Sequence, residues 1–267
     1  MNQFFSILIP LVLAAGALIA GNPRLTEIKR QILLRAISIA LGISTILVAI
    51  AFFRITEQNS EYLLRLNAIN LTVLFLVSFM AIILIKFSEG YMRSEKQSHK
   101  FWRWLLLSLT SVSVVVLSNN LLLLWLGWVS ISLCFHRLLL FYPDRPRAVF
   151  AAHKEFILAR LAEACLLGAV LLLYSHHGTF QLNVILDHYQ GLATTYELSF
   201  IEKLAAFLIA QTALIKCAQL PLHGWLIQVV EAPTPISALL HAGIINLGGF
   251  LLISFAPLMA LAPVAQW

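Results

Sequence analysis

Charge is scarce in this sequence. Asp, Glu, Lys and Arg make up 11% of its 267 residues and 60% are hydrophobic, whereas an ordinary soluble domain carries about 25% charged residues. With a mean hydropathy of +0.89, that balance excludes a water-solvated globule. Cysteine is nearly absent. The three present, Cys134, Cys165 and Cys217, lie inside apolar runs, which excludes a disulfide framework or a spaced zinc motif and makes them small packing residues. Ten-residue alternation of apolar and polar residues is missing, so a membrane β-barrel is excluded. No basic stretch precedes the first apolar run, MNQFFSILIPLVLAAGALIAG. That run therefore reads as a retained first span with the N-terminus outside rather than a cleaved signal.

What is present is a series of apolar runs long enough to cross a hydrocarbon core of about 30 Å as helices. The expected fold is an all-α polytopic bundle, one membrane domain over residues 1–267, with eight spans: 4–21, 32–53, 66–86, 101–118, 121–141, 149–174, 201–220 and 234–256. Trp104 to Phe141 is too long to be one crossing, so the chain must fold back at Asn119-Asn120.

Basic residues sort sharply on that span list. Arg24, Lys29, Arg30 and Arg35 border loop one, Lys86, Arg93, Lys96, Lys100 and Arg103 loop three, and Arg137, Arg145, Arg147 and Lys154 loop five. The even loops have Arg54, Arg65 and Lys203 alone. Under the positive-inside rule the odd loops are cytoplasmic. The net charge of +6 then reflects topology and contact with anionic lipid, and no nucleic-acid partner is implied. The longest loop, Ser175 to Phe200, contains His176, His177, Asp187 and His188. One histidine pair without a second spaced pair is a weak metal signal, so a solvated polar loop is expected and no metal is assigned.

The informative stretch is Lys216 to Asn246, KCAQLPLHGWLIQVVEAPTPISALLHAGIIN. A lysine at membrane depth costs about 3 kcal/mol or more, so it marks a functional site by default. Pro221 follows it, and helix breaks at that depth are tolerated where they are buried in protein or line a hydrated cavity. The seventh helix is therefore expected to be broken, with Lys216 poised beside the break. Span six carries Arg160 and Glu163 on one face, as an ion pair that lets the helix insert or as part of the chemistry. His241 follows Thr234-Pro235, a plausible helix start, and suits either a proton relay or a satisfied hydrogen bond. Arg160, Lys154, His223 and Glu231 are relay or structural groups, Glu231 being best read as solvated or helix-terminal. Gly243, Gly248 and Gly249 allow close helix packing. No nucleophile-base pair or cofactor motif is present, so no cofactor is expected in this chain.

KCAQLPLHGWL and EAPTPISALLHAG together resemble the signature of the antiporter-like membrane subunits of respiratory complex I (subunits L, M and N) and of Mrp-type sodium/proton antiporters. FSEGYM (Phe87–Met92), NNLLLLWLGW (Asn119–Trp128) and AAHKEFILARLAE (Ala151–Glu163) extend the resemblance. It implies that Lys216 is the proton-carrying lysine of the broken seventh helix, His241 the relay group on the eighth, and Glu163 an acidic partner on the sixth. In the complex I pattern a glutamate that pairs with the lysine follows the tryptophan of the GW motif, and here that residue is Val129. With LCFHRLLLFYPDRPRAVFAAHKEFILARLAE, the sequence is more similar to the diverged DabB family. That resemblance implies a proton-conducting membrane subunit of an energy-coupled inorganic-carbon (CO2/bicarbonate) transporter in the cell inner membrane. It also implies a large zinc-containing partner resembling a β-carbonic anhydrase. A subunit L-like component of complex I or of an Mrp antiporter is the other reading. The family has about fourteen spans in two inverted repeats, and one lysine-bearing segment is present here, as expected of an incomplete chain or a half-length homologue.

Overall fold

The computed structural model describes residues 2–54, 63–192, 197–229 and 233–262. Among them every regular element is helical, in the order α1 (Asn2–Ala20), α2 (Glu27–Arg54), α3 (Ala68–Tyr91), α4 (Ser98–Leu117), α5 (Leu121–Leu139), α6 (Pro146–His177), α7 (Leu182–Gln190), α8 (Phe200–Lys216), α9 (Gly224–Gln228) and α10 (Thr234–Leu239). A π-helical turn over Leu240–Ile244 then leads into α11 (Asn246–Ser254) and α12 (Ala256–Leu261). Five helices, α2 to α6, are long and apolar enough to cross a membrane, and α1 adds a shorter apolar helix. The chain is a multi-pass membrane protein.

α4 is the most enclosed helix, packed against α1, α3 and α5, and its Phe101, Trp102 and Leu105 are buried with Trp128 and Phe135 of α5. From α5 the packing continues through α6 to α8, and from α8 to α11. Both sides of the α6–α8 seam bury small residues, Ala159, Ala162 and Ala169 on α6 and Ala205 and Ala206 on α8. Small side chains let backbones approach where lipid removes most of the hydrophobic drive for association. The Thr212 hydroxyl reaches across that seam and donates to the Ala162 carbonyl at 3.1 Å.

The expected reversal at Asn119-Asn120 is present, and both side chains hold it. Asn120 caps α5 by accepting from the amides of Leu122 and Leu123. Asn119 pairs with Asn183 through its amide nitrogen at 2.9 Å and its oxygen at 3.0 Å. At the opposite end, Arg30 is buried and donates to the Ala20 carbonyl and to Ser98, and Arg103 donates to the Gly21 carbonyl. Two cations of the expected cytoplasmic loops thus satisfy the carbonyls that end α1.

Two expectations need correction. The stretch expected as a solvated loop contains α7, an amphipathic helix whose Leu182, Ile185, Leu186 and Tyr189 are buried. Their spacing of three, four and seven is the helical stripe. The helix expected to run to residue 220 ends at Lys216, ahead of Pro221. Ala218 adopts a left-handed conformation, φ 50°, and the amides of Ala218 and Gln219 bond to the carbonyls of Ile215 and Leu214 at 3.2 Å each. This is a Schellman end, in which glycine is the usual residue.

Candidate functional site

Lys216 is the last residue of α8, and its side chain turns into the packing between α5 and α6. It is 7% exposed. Its ammonium donates to Ser132 Oγ of α5 at 2.6 Å and lies 3.7 Å from Glu155 Oε1 of α6. Glu155 is 4% exposed, and its Oε2 has no hydrogen-bond partner. Ser132 also stands within hydrogen-bonding reach of Glu163, whose Oε1 accepts from Arg160 Nη2 at 2.9 Å. Glu155, Lys216, Ser132, Glu163 and Arg160 form one polar thread through an otherwise apolar helix junction. Two carboxylates and two cations balance formally, which is the condition for keeping ions out of water at tolerable cost.

The local sequence explains the placement. Glu155, Ala159, Ala162, Glu163, Leu166 and Ala169 are among the buried residues of α6 and recur at helical period along it. The alanines bring α8 close, and the two carboxylates, two turns apart, bracket the approach of Lys216. On α5, Trp128 and Ser132 are buried one turn apart, and Trp125 Nε1 donates to the Glu163 carbonyl at 3.0 Å, which fixes α5 against α6. α11 packs against the end of α8 next to Lys216. A Cβ on Gly248 would come within 2.7 Å of the Ala213 carbonyl oxygen and 2.5 Å of Cys217 Sγ, so glycine is required there, whereas Gly249 faces open space.

The structure therefore brings together Lys216, Glu163 and Arg160 of the expected residues, and adds Glu155 and Ser132. It does not bring His241 to them. That residue lies in the π-helical turn with an exposed ring, and no hydrogen bond or ion pair joins it to Lys216 among the described residues. The turn itself carries the wide Ile245 amide to Leu240 carbonyl bond of 3.1 Å; such π-bulges occur frequently at functional sites. His223 is half-buried at the start of α9, which packs on α6. Lys154 points away from its neighbour Glu155 and sits over the Phe150 ring at 4.5 Å. Pro221 is exposed in the turn between α8 and α9, and Glu231 lies outside the described residues. Glu155 was legible in principle, because it is eight residues from Glu163 and so on the same face, and because the missing glutamate at Val129 leaves the lysine in need of another carboxylate.

A family model described as NADH:quinone oxidoreductase/Mrp antiporter, TM, matches residues 118–267. The chain is 52% identical over 221 residues to a "probable inorganic carbon transporter subunit DabB" of Hydrogenovibrio crunogenus, covering 82% of this chain and 42% of that protein. It is 38% identical over 197 residues to a "probable inorganic carbon transporter subunit DabB2" of Halothiobacillus neapolitanus, covering 74% and 35%. It is also 33% identical over 200 residues to NADH-quinone oxidoreductase subunit L of Escherichia coli, covering 74% and 32%. The chain thus spans less than half the length of these relatives. Among solved structures, a chain of the Mrp complex from Dietzia sp. DQ12-45-1b superposes with a TM-score of 0.80 at 22% identity, over 100% of this chain and 29% of that one. A chain of an archaeal membrane-bound sulfane sulfur reductase does so with a TM-score of 0.82 at 14% identity, over 99% and 54%. At those identities the likeness shows the shared fold.

Proposed function

The chain belongs to the NADH:quinone oxidoreductase/Mrp antiporter membrane family, and from that premise we propose that it carries protons as the membrane subunit of an energy-coupled inorganic-carbon transporter. In this reading the chain makes eight passes with its N-terminus outside, in the inner membrane, and α8 with the segment after it forms the broken seventh helix. The observation that supports the reading most is the buried Lys216 held between two carboxylates on α6. An ammonium 3.7 Å from Glu155 is stabilised while Glu155 is ionised and loses that support when it takes up a proton. A proton passed between Glu155, Lys216 and Glu163 therefore moves along the thread through Ser132. His241, in the π-helical turn, is the next relay member, toward the exposed face.

The partner in this reading is the large zinc-containing, carbonic-anhydrase-like subunit that the family resemblance implies, and the energy of proton entry is used there. Uptake of isotope-labelled bicarbonate by cells producing the complete complex tests it. The expected result is uptake that is abolished by a protonophore and by Lys216→Ala with membrane insertion unchanged. Uptake that survives both overturns it. The other reading, a subunit L-like component of complex I or an Mrp antiporter, draws on the 33% identity to subunit L. Val129 in place of the pairing glutamate, and the higher identity to the carbon-transporter subunits, weigh toward carbon uptake.

A further inference from the structure

We propose that His176, His177 and Glu202 form a binding site for a divalent transition-metal ion of the zinc class, at the end of the bundle remote from Arg145 and Arg147. The two histidines are in the last turn of α6, directly before Gly178, which ends that helix in a left-handed conformation. Glu202 is in the first turn of α8. The ligand atoms of the three residues lie within 4.8 Å of one another. Two imidazoles and a carboxylate are a donor set that suits zinc, with a fourth position left to water.

A second observation points the same way. The Glu202 side chain is 0% exposed, and its two oxygens are treated differently. Oε2 accepts from the Ser199 amide at 2.7 Å within the capping box of α8. Oε1 faces His176 Nε2 at 3.5 Å, and the Tyr189 hydroxyl stands within hydrogen-bonding reach of the carboxylate. A carboxylate anchored by one oxygen and offering the other inward is how ligating carboxylates are held. His177 is fixed in the same manner, its Nε2 meeting the Tyr189 hydroxyl of α7 at 2.8 Å. Bonds of about 2.0–2.2 Å to an ion require the ligand atoms to draw in by on the order of 1 Å, and the 30% exposed His176 ring has the freedom to do so. A bound ion would tie the end of α6 to the start of α8, the two helices that carry Glu163 and Lys216 at their other turns. This inference does not depend on what the proton thread drives.

Cobalt(II) is the probe. The full-length protein, purified in detergent and stripped with a chelator, is titrated with Co2+ and followed by visible absorption, then by displacement with Zn2+. The expected result is one equivalent bound per chain, with affinity lowered at least tenfold by His176→Ala and by Glu202→Gln, and unchanged by His153→Ala on the exposed face of α6. Glutamine keeps the capping-box pattern, and His176→Ala leaves that cap untouched, so loss of binding is separable from loss of fold by comparing the two. Failure to bind one equivalent, or binding that survives His176→Ala and Glu202→Gln together, overturns the site and leaves a plain histidine-carboxylate pair.

Discussion

Replacing Glu155 with glutamine should be the most informative change to the Lys216 site. Glutamine keeps the shape of the side chain and removes its charge, so the α6–α8 seam is preserved while the ammonium loses the carboxylate 3.7 Å away. At an effective dielectric of about 20 that distance corresponds to about 4 kcal/mol, and removing one partner of a buried pair typically costs about 3–5 kcal/mol. At about 1.4 kcal/mol per factor of ten, a loss of that size corresponds to roughly 150- to 5,000-fold in any equilibrium that depends on the pair. Coupled uptake should fall by about a hundredfold or more, with Glu155→Asp retaining part of it and membrane insertion unaffected in both. A glutamate placed at Val129 should restore part of the activity in the Glu155→Gln background, because position 129 is one turn before Ser132 on α5 and Ser132 touches the ammonium at 2.6 Å. Labelled-bicarbonate uptake in cells with matched amounts of protein in the membrane is the assay. Uptake equal to wild type in Glu155→Gln would refute the pairing, and loss in Glu163→Gln alone would move the partner to Glu163.

Further outcomes are expected elsewhere. Ala218→Gly should raise stability by roughly 0.5–1 kcal/mol, since a non-glycine residue in the left-handed region costs about 1–2 kcal/mol and added chain freedom takes part of that back; thermal unfolding in detergent would measure it, and a lower midpoint would count against the helix end described. Gly248→Ala should cost about 1–3 kcal/mol by pushing α11 off α8, while Gly249→Ala should be nearly neutral, by the same measurement. Asn120→Ala should cost about 1 kcal/mol through loss of the α5 cap. Tyr142, in the turn between α5 and α6, has its phenol pushed up to about 12 by burial, with a hydrogen bond to Glu95 adding to it. Its raised value means that its contribution to stability is intact below about pH 10 and is lost as pH rises toward 12. Ultraviolet titration should show a late-ionising tyrosine that disappears in Tyr142→Phe, and an unchanged titration curve would refute the assignment.

Much of the fold was legible in the sequence because its strongest signals are local. Long apolar runs and the paired asparagines at 119–120 each follow from the cost of putting polar groups in hydrocarbon. Where reading failed, the cause was competition between signals. The two histidines and Asp187 made the 175–200 stretch look like open loop and hid the three, four, seven spacing of Leu182, Ile185, Leu186 and Tyr189. Pro221 drew the expected helix end past Lys216, although the chain turns at Ala218, a residue with no turn propensity of its own. At the site, Lys216, Glu163 and Arg160 were found from their isolation among apolar neighbours. Glu155 lay inside a more polar run, HKEF, that reads as the solvated start of a helix, and its burial depends on the approach of α8, which no local pattern encodes. Ser132 was invisible for the same reason, since a serine on an apolar helix can satisfy itself against its own backbone.

The central claim is that the charge on Lys216 comes and goes as protons pass. Proton entry into vesicles containing the purified complex, followed with an internal pH-sensitive dye under an imposed gradient, tests it most directly. Wild-type protein should acidify the lumen and Lys216→Ala should leave it at the rate of empty vesicles while remaining fully inserted. Acidification by Lys216→Ala at the wild-type rate would contradict it.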